Sequence, residues 1–185
     1  PSTAFSYSNT NYVLLGILAE RIQELPIHAI IRNEILTPLS LRKTFMPPFD
    51  TYEQPHAHLW SFLGSDPYLK DLGDFSETSI LPRNSGSFGQ SDGFIFCTAG
   101  DNVRFWQGLF NGLISKKSLN HEMLQFTPGS NYGLGVERSN AFGNVTYGHN
   151  GSWFGQVSSS LVDTTKKIYI SILTNQDSLT SQVGN

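Results

Sequence analysis

The spacing of the apolar residues changes along the chain, and this change constrains the fold more than any other feature. From Asn11 to Leu25 apolar residues recur every three or four positions, which is the spacing of one face of an α-helix. After Pro128 the chain consists of short runs rich in β-branched and aromatic residues. The sequence therefore predicts an α+β fold, with a mostly helical lobe over 1–127 and antiparallel strands over 128–185. The apolar face of the first helix is formed by Tyr12, Leu15, Leu18, Ile22 and Leu25.

Prolines and polar residues set the bounds of the other predicted helices. Pro26 fits the first turn of a second helix over 27–36. Pro38 ends that helix, because proline disfavours helical geometry in the residue before it. Two more helices are predicted over 101–110, with Asp101 capping the first turn, and over 115–126.

The remaining segments are predicted as strands, apart from one long irregular region. Residues 47–82 mix prolines, glycines and aromatic residues without a clear period. Irregular segments of that length often serve a functional site. The strands are predicted over 132–137, 145–147, 154–162 and 167–174.

Charge and cysteine content narrow the classes of function. Charged residues make up 15% of the chain and the formal net charge is -3, so no basic face is offered to nucleic acid or anionic lipid. Small or neutral ligands are the better expectation. The single cysteine, Cys97, excludes an internal disulfide, and its apolar neighbours predict a buried, unreactive thiol. No run of about 18 apolar residues is present, which predicts no membrane-spanning helix.

Two polar motifs, far apart in the sequence, are candidates for one active site. Tyr7-Ser8-Asn9 precedes the first helix and places a phenol and an amide on a loop; taken alone, a helix cap formed by Ser8 or Asn9 is the simpler interpretation. Gly148-His149-Asn150-Gly151 ends a predicted strand, where glycines allow a substrate backbone to approach closely and the imidazole can donate a hydrogen bond. Its alternative is a glycine-rich hairpin with an incidental histidine.

The sequence signal for a nucleophile is weaker than the signal of these two motifs. Ser40-Leu41-Arg42-Lys43 matches the SxxK pattern of penicillin-recognising serine enzymes. That pattern works at the start of a long helix, and Pro47-Pro48 leaves hardly more than one turn here. Ser91-Asp92-Gly93 resembles the SDN triplet of related enzymes but lacks its final amide. An active set of Ser40, Ser91 and His149 is therefore not expected.

Taken in order, these segments resemble the serine β-lactamase-like family of class C β-lactamases, DD-carboxypeptidases and related esterases. FSYSNTNYVLLGILAERI resembles the YxN segment with its helix, and ILTPLSLRKTFMPP resembles the PLGM-containing turn. SDGFIFCTAGDNVRFWQGLFNG resembles the small-residue turn and helix that follow. YGLGVE, YGHNGSWFGQVSSSLVD and KIYISILTNQD resemble the closing strands with the HxG motif. The resemblance covers nearly all of the chain outside 47–82 and implies a β-lactamase/transpeptidase-like fold.

The resemblance implies roles for five residues. Tyr7 would be the general base or proton relay, and His149 would stand where the family has the KTG lysine. Asn9 would donate to the acyl side-chain amide of the substrate. Asn150 and Gly151 would bind substrate on the strand that pairs with it. A tyrosine has an ordinary pKa of about 10, so a base near neutral pH requires a pKa lowered by about two or three.

The implied function is that of a portion of a serine acyl hydrolase that works through an acyl-enzyme on D-alanyl peptides, β-lactams or simple esters. The family's nucleophilic serine and its lysine precede the YxN segment, and a helix follows its last strand. The chain is therefore expected to be an incomplete fold, silent alone, whose partner is the missing N-terminal segment. Exposed apolar surface would also favour self-association. The alternative function is a non-catalytic, penicillin-binding-like protein that keeps the cleft.

Cofactor, substrate preference and compartment follow from the same resemblance. No metal or organic cofactor is implied, and a metal site at Asp50, His56 and His58 is the less favoured interpretation because no clear third ligand accompanies the two histidines. A histidine at position 149 is mostly neutral at pH 7, which favours a broad carboxypeptidase or esterase over a dedicated penicillinase. The compartment cannot be read from the sequence; the family favours an extracytoplasmic one.

Overall fold

The structure combines helices with two antiparallel sheets, which confirms the predicted α+β class. It is a computed structural model that describes residues 5–46, 49–50, 57–62, 68–73, 91–93, 95–153 and 155–176. The helices are α1 (Asn9–Gln23), α2 (Ile27–Ile31), which continues as a π-helix (Arg32–Leu36), α3 (Ala99–Phe110) and α4 (Lys117–Met123). The strands are β1 (Trp60–Phe62), β2 (Leu69–Asp71), β3 (Glu137–Ala141), β4 (Asn144–Trp153), β5 (Gln156–Asp163) and β6 (Ile168–Thr174).

The larger sheet has the order β3-β4-β5-β6, with every neighbouring pair antiparallel. Phe142 and Gly143 form the two-residue turn between β3 and β4 at φ 52° and 75°, the left-handed geometry that matches strand twist in tight hairpins. Asp163 shapes the turn after β5 by accepting hydrogen bonds from the backbone N–H groups of Thr165 and Lys166 at 3.0 and 2.9 Å. Both turns fall where the sequence predicts them.

Helix α3 packs against this sheet and closes a core with it. Trp106, Val136 and Val162 are 5%, 2% and 0% exposed and form the centre of that core. The amide of Asn102 on α3 donates to the hydroxyls of Ser160 and Ser171 at 3.1 and 3.0 Å. Apolar burial therefore holds α3 on the sheet, and two partly buried hydrogen bonds fix its position.

The start of α3 differs from the prediction. The cap is Thr98, whose hydroxyl accepts a hydrogen bond from the backbone N–H of Asp101 at 3.2 Å. Asp101 is buried instead, and its carboxylate accepts from Lys43 N at 2.8 Å and from Thr44 Oγ1 at 2.9 Å. Arg104 adds an ion pair at 2.7 Å. Asp101 thus joins α3 to the loop after the π-helix, a long-range role that a local capping rule does not capture.

Several predicted bounds are corrected by the structure. Residues 132–136 form a loop that makes one isolated bridge, from Tyr132 to Glu137 at the start of β3, because Gly135 at φ 77° turns the chain back on itself. β4 runs through to Trp153, since its pairing with β5 continues that far, so the histidine motif lies inside a strand. The helix predicted over 115–126 is shorter. Within the irregular segment 47–82, the described residues include the antiparallel pair β1 and β2.

Helix α1 is confirmed, but its apolar side points away from the other described residues. The only buried residue of α1 is Gly16, where a Cβ would overlap Ser91 Oγ. The same Ser91 hydroxyl donates to the carbonyl of Tyr12 at 2.5 Å. We call the opposite side of the helix the outer face of α1. It consists of Leu14, Leu15, Leu18 and Ile22, which are 59%, 58%, 52% and 72% exposed. No described helix has both the length and the apolar character needed to cross a bilayer.

Candidate active site

Tyr7 and His149 lie side by side, with ring centroids 6.1 Å apart. The Tyr7 ring also contacts Tyr132 edge-on at 5.5 Å and Tyr12 at 5.7 Å. Phe5 stacks on Tyr132 at 5.3 Å. We call these five rings the aromatic cluster. It brings together the segment before α1, α1 itself, the loop after α4 and strand β4.

The segment that carries Tyr7 enters α1 without a side-chain cap. Ser8 occupies the N-cap position with extended backbone, and its carbonyl accepts from the N–H of Asn11 at 3.1 Å. Among the described residues no side chain caps this helix, so the cap interpretation of Ser8 or Asn9 is not supported. Asn9 is the first helical residue and is exposed. Tyr7 is 46% exposed, so its phenol is accessible at the surface of the aromatic cluster.

A continuous line of hydrogen bonds runs through the aromatic cluster. The hydroxyls of Tyr12 and Tyr132 lie 2.6 Å apart, and the Tyr132 hydroxyl lies 2.8 Å from His149 Nε2. On the far side of the imidazole, Nδ1 lies 2.6 Å from the carbonyl oxygen of Asn150. We call this line the Tyr12–Tyr132–His149 chain. It engages both nitrogens of the imidazole with partners from the protein.

Strand β4 has one open edge beside His149. Its first half, through Gly148, pairs with β3 on one side, whereas pairing with β5 on the other side continues to Trp153. Within the part of the chain that the structure describes, residues 149–152 therefore pair with a neighbouring strand on one side only. His149 and Gly151 share one face of the strand and Asn150 points to the other, because side chains alternate along a strand. A free strand edge next to a functional side chain is able to pair with an extended ligand.

The side chain of Asn150 is engaged with the protein on the opposite face. It accepts a hydrogen bond from Ser159 Oγ at 2.8 Å and donates to Glu137 Oε2 at 3.4 Å. The contact of Asn150 with the aromatic cluster is made by its backbone carbonyl, through His149 Nδ1. Its position in the structure is thus that of a residue that orients the imidazole.

The surroundings of Tyr7 and Tyr132 favour the protonated form of these two phenols. Burial raises the pKa of Tyr7 above its ordinary 10.0, and the neighbouring Tyr12, Asp92 and Glu137 raise that pKa further. Burial and the hydrogen bond to Tyr12 raise the pKa of Tyr132 in the same direction. A tyrosine that acts as a base near neutral pH needs a lowered pKa. The direction of the Tyr7 shift is the opposite.

Ser40 and Ser91 both lie outside the aromatic cluster. Ser40 is in a turn at φ 53°, and no helix begins there, which confirms that the SxxK match lacks its helical setting. Ser91 is bonded to the backbone of α1, where it helps to seat the helix. Cys97 is half-buried, less than the sequence predicts, but burial still raises the pKa of its thiol to about 11, so the thiol is a poor nucleophile at neutral pH.

The residues of the alternative metal site are engaged elsewhere. His58 Nδ1 lies 2.9 Å from the carboxylate of Asp71. Asp50 pairs with Arg32 and accepts from the backbone N–H of Met46 at 2.6 Å. His56 lies outside the described residues. Among the residues that are described, no group of three or more His, Cys, Asp or Glu side chains is placed to hold a metal ion.

Sequence reasoning missed Tyr12 and Tyr132 as residues of the site. Tyr12 reads as part of a helix face, and Tyr132 reads as the first residue of a strand. Tyr132 is instead 8% exposed, in a loop held by a hydrogen bond from its N–H to Ser130 Oγ at 3.1 Å. The available signal was the high density of tyrosine around Tyr7, but the partner of each hydroxyl is set by contacts distant in the sequence.

Comparisons with known proteins point to one family. A family model described as Beta-lactamase matches residues 1–184. The fold superposes on a D-amino acid amidase from Ochrobactrum anthropi SV3 with a TM-score of 0.78 and 26% identity, over 95% of this chain and 51% of that protein. A D-stereospecific amidohydrolase from Streptomyces gives a TM-score of 0.76 and 25% identity, over 96% of this chain and 52% of that protein.

A curated relative agrees with these structures. Penicillin-binding protein 4 from Amycolatopsis lactamdurans is 31% identical over 107 residues, which are 57% of this chain and 26% of the relative. A penicillin-binding protein from Bacillus halodurans shares the fold, with a TM-score of 0.78 at 23% identity. The chain therefore spans about half the length of the amidases and about a quarter of the curated relative.

Proposed function

The chain belongs to the β-lactamase family of serine hydrolases, and from this premise we propose that it forms one side of the active site of a serine acyl hydrolase. In this proposal Tyr7 is the proton relay and His149 faces the substrate. Asn9 and Gly151 bind the acyl part, and Asn150 supports that binding by holding the imidazole. The reaction passes through an acyl-enzyme whose nucleophile comes from a segment other than Ser40 or Ser91.

One observation carries this proposal: the fold places Tyr7 against His149 beside an open edge of β4. The phenol and the imidazole are the two polar groups that the family motifs supply, and they come from opposite ends of the chain. The edge of residues 149–152 offers backbone donors and acceptors to an extended acyl substrate. Proton transfer, orientation and strand pairing are thereby available within one small region.

The same geometry explains why we expect the chain to be silent alone. Burial, followed by the charges of Asp92 and Glu137, raises the pKa of Tyr7 and so favours the protonated phenol. Proton abstraction by Tyr7 therefore needs a positive charge nearby, in addition to a nucleophilic hydroxyl. We propose that the rest of the hydrolase supplies both groups.

We propose that the outer face of α1 binds that remaining part of the fold. Its four aliphatic side chains are each more than half exposed. Full burial of such side chains contributes about 1.5–3 kcal/mol each. In the absence of the remaining part, this face promotes self-association. By likeness to the penicillin-binding relative, we place the parent protein outside the cytoplasm.

For the substrate we propose a D-amino acid derivative hydrolysed at an amide or ester bond. The two amidases superpose on nearly all of this chain, and a neutral imidazole at position 149 lacks the fixed charge of a lysine. A substrate carboxylate is then not essential. Amides of D-amino acids and simple esters fit this site better than β-lactams or D-alanyl peptides with a free carboxylate, because such a carboxylate binds best to a cation.

The test compares the purified 185-residue chain with the full-length protein encoded around it. Substrates are D-phenylalanine amide, a p-nitrophenyl ester and a chromogenic β-lactam. We expect no hydrolysis by the chain, and hydrolysis of the amide and the ester by the full-length protein. Tyr7→Phe should lower kcat by about 100-fold or more, the usual contribution of a proton-transfer group. The matched control is Tyr68→Phe, an exposed tyrosine outside the aromatic cluster.

Two results would contradict the proposal. Hydrolysis by the chain alone that disappears in Ser40→Ala would restore the SxxK motif as the nucleophile. A full-length protein that binds D-phenylalanine amide but hydrolyses none of the three substrates would identify a ligand-binding protein instead of an enzyme.

A further inference from the structure

The hydrogen bonds around His149 fix where the protons of a neutral imidazole lie. The carbonyl oxygen of Asn150 can only accept, and it lies 2.6 Å from His149 Nδ1. Nδ1 therefore carries the proton. In a neutral ring the other nitrogen, Nε2, then has a lone pair and can only accept.

The same reasoning gives the positions of the hydroxyl protons of the two tyrosines. The Tyr132 hydroxyl lies 2.8 Å from His149 Nε2, so it donates to that nitrogen. Its own oxygen is left with lone pairs, 2.6 Å from the Tyr12 hydroxyl, and Tyr12 therefore donates to Tyr132. Every proton in the Tyr12–Tyr132–His149 chain has one consistent position, and both phenolic hydroxyls donate toward the imidazole.

We propose that Tyr132 is a positioning residue that holds neutral His149 as the Nδ1–H tautomer, and that Tyr12 supports it from behind. As the site then offers no imidazole N–H to substrate, it selects acyl substrates without a carboxylate at this position. The substrate part of this inference rests on the proposed function; the tautomer part does not.

Packing around Tyr132 supports this role. The residue is 8% exposed, Phe5 stacks on one side of its ring, and the rings of Tyr7 and His149 meet it edge-on. Its backbone N–H is bonded to Ser130 Oγ. A side chain held on all sides keeps its hydroxyl in one direction, and second-sphere donors of this kind are what fix histidine tautomers.

The consequence for substrate selection follows from the occupied nitrogens. A substrate carboxylate needs a donor, and both imidazole nitrogens already have partners within the protein. Such a carboxylate would gain no hydrogen bond from the ring. A neutral amide or ester group does not need a hydrogen bond from the imidazole, because it can pair with the backbone at the open edge of β4 instead.

The experiment measures the tautomer of His149 directly in the 185-residue chain. Long-range ¹H–¹⁵N correlation spectra of ¹⁵N-labelled protein at pH 8 distinguish Nδ1–H from Nε2–H in each neutral imidazole. We expect His149 as the Nδ1–H form. In Tyr132→Phe the lone pair on Nε2 loses its donor. The ratio of Nε2–H to Nδ1–H should then rise about fivefold, the effect of losing one hydrogen bond.

Matched variants separate positioning from folding. Tyr7→Phe removes a hydroxyl of the aromatic cluster that is not part of the chain of donors, and Tyr12→Phe removes only the supporting donor. We expect both to keep the Nδ1–H form. Unchanged backbone amide signals from β4 and β5 verify the fold of each variant. If Tyr132→Phe does not fold, the tautomer of His149 measured in the wild-type chain is itself the test of the inference.

Two outcomes would overturn the inference: an Nε2–H tautomer of His149 in the wild-type chain, or an unchanged tautomer ratio in a folded Tyr132→Phe variant. Neither outcome depends on whether the full-length protein hydrolyses any substrate. Failure of the proposed function would appear in the hydrolysis assays and leave these spectra unchanged.

Discussion

The sheet and α3 bury their large apolar side chains, whereas helix α1 leaves most of its apolar side chains exposed. Trp106, Val136 and Val162 are at most 5% exposed, and the sheet and α3 bury them between themselves. In α1 the only buried residue is a glycine, and the outer face of α1 leaves leucines and an isoleucine more than half exposed. The first region closes its own core, whereas the second has apolar surface that the described chain does not cover.

The aromatic cluster lies where these two regions meet. Tyr7 and Tyr12 come from the α1 side, and Tyr132 and His149 come from the sheet side. The self-sufficient region holds the imidazole and the strand edge rigidly. The region with the exposed apolar face carries Tyr7, the phenol that meets a nucleophile in our proposal. The division in packing therefore matches the proposed division between substrate binding and proton transfer.

The largest expected effect tests whether the sheet region really supports its own fold. Trp106→Ala should lower the free energy of unfolding by about 3–5 kcal/mol, because it removes a large buried ring and leaves a cavity. Urea unfolding followed by circular dichroism measures this change. Leu113→Ala, at a residue that is 68% exposed, is the control and should change stability by less than about 0.5 kcal/mol. Equal effects of the two substitutions would contradict the comparison.

A smaller effect is expected in the α1 region, and in association instead of folding. A Leu15→Gln, Leu18→Gln, Ile22→Gln triple variant should keep its stability within about 1 kcal/mol, because these side chains are mainly solvent-exposed. It should lose the self-association that the outer face of α1 promotes. Sedimentation velocity over a range of concentrations measures this.

Leu134→Gln is the control for that variant, since Leu134 is 67% exposed in the loop before β3. It should leave self-association unchanged. A wild-type chain that remains a stable monomer at high concentration would show that the outer face of α1 needs no partner.

The sequence predicts which two motifs lie together better than it predicts the strands around them. Tyr7 and His149 are recognisable from short motifs, and the structure brings them together. The length of β4 was underestimated, because Gly148 and Gly151 read as turn residues. Pairing with β5 overrides that local tendency. Glycine is in fact required at position 148, where a Cβ would overlap the carbonyl of Ser160.

The role of Asp101 and the orientation of α1 could not be predicted from the sequence, because contacts between distant residues determine both. Asp101 looks like a helix cap, yet its carboxylate binds the loop at Lys43 and Thr44. The period of α1 shows an apolar face but not which side of the helix meets the protein. That choice is made by Gly16, which allows close approach to Ser91. Both outcomes depend on contacts between residues far apart in the sequence.

The smallest effect concerns Tyr7, the residue at which the two regions join. Its pKa is raised by burial and by neighbours from both regions, Tyr12 on α1 and Glu137 on β3. A raised folded-state pKa means that this contribution to stability is complete below pH 10 and is lost as the pH rises through the higher value. Ultraviolet absorbance of phenolate during alkaline titration, with Tyr7→Phe as the difference reference, should show Tyr7 ionising later than an ordinary tyrosine. Glu137→Gln should make Tyr7 ionise earlier than in the wild-type chain. If Glu137→Gln changes nothing, the sheet region does not influence the phenol, and the two regions meet at Tyr7 by packing alone.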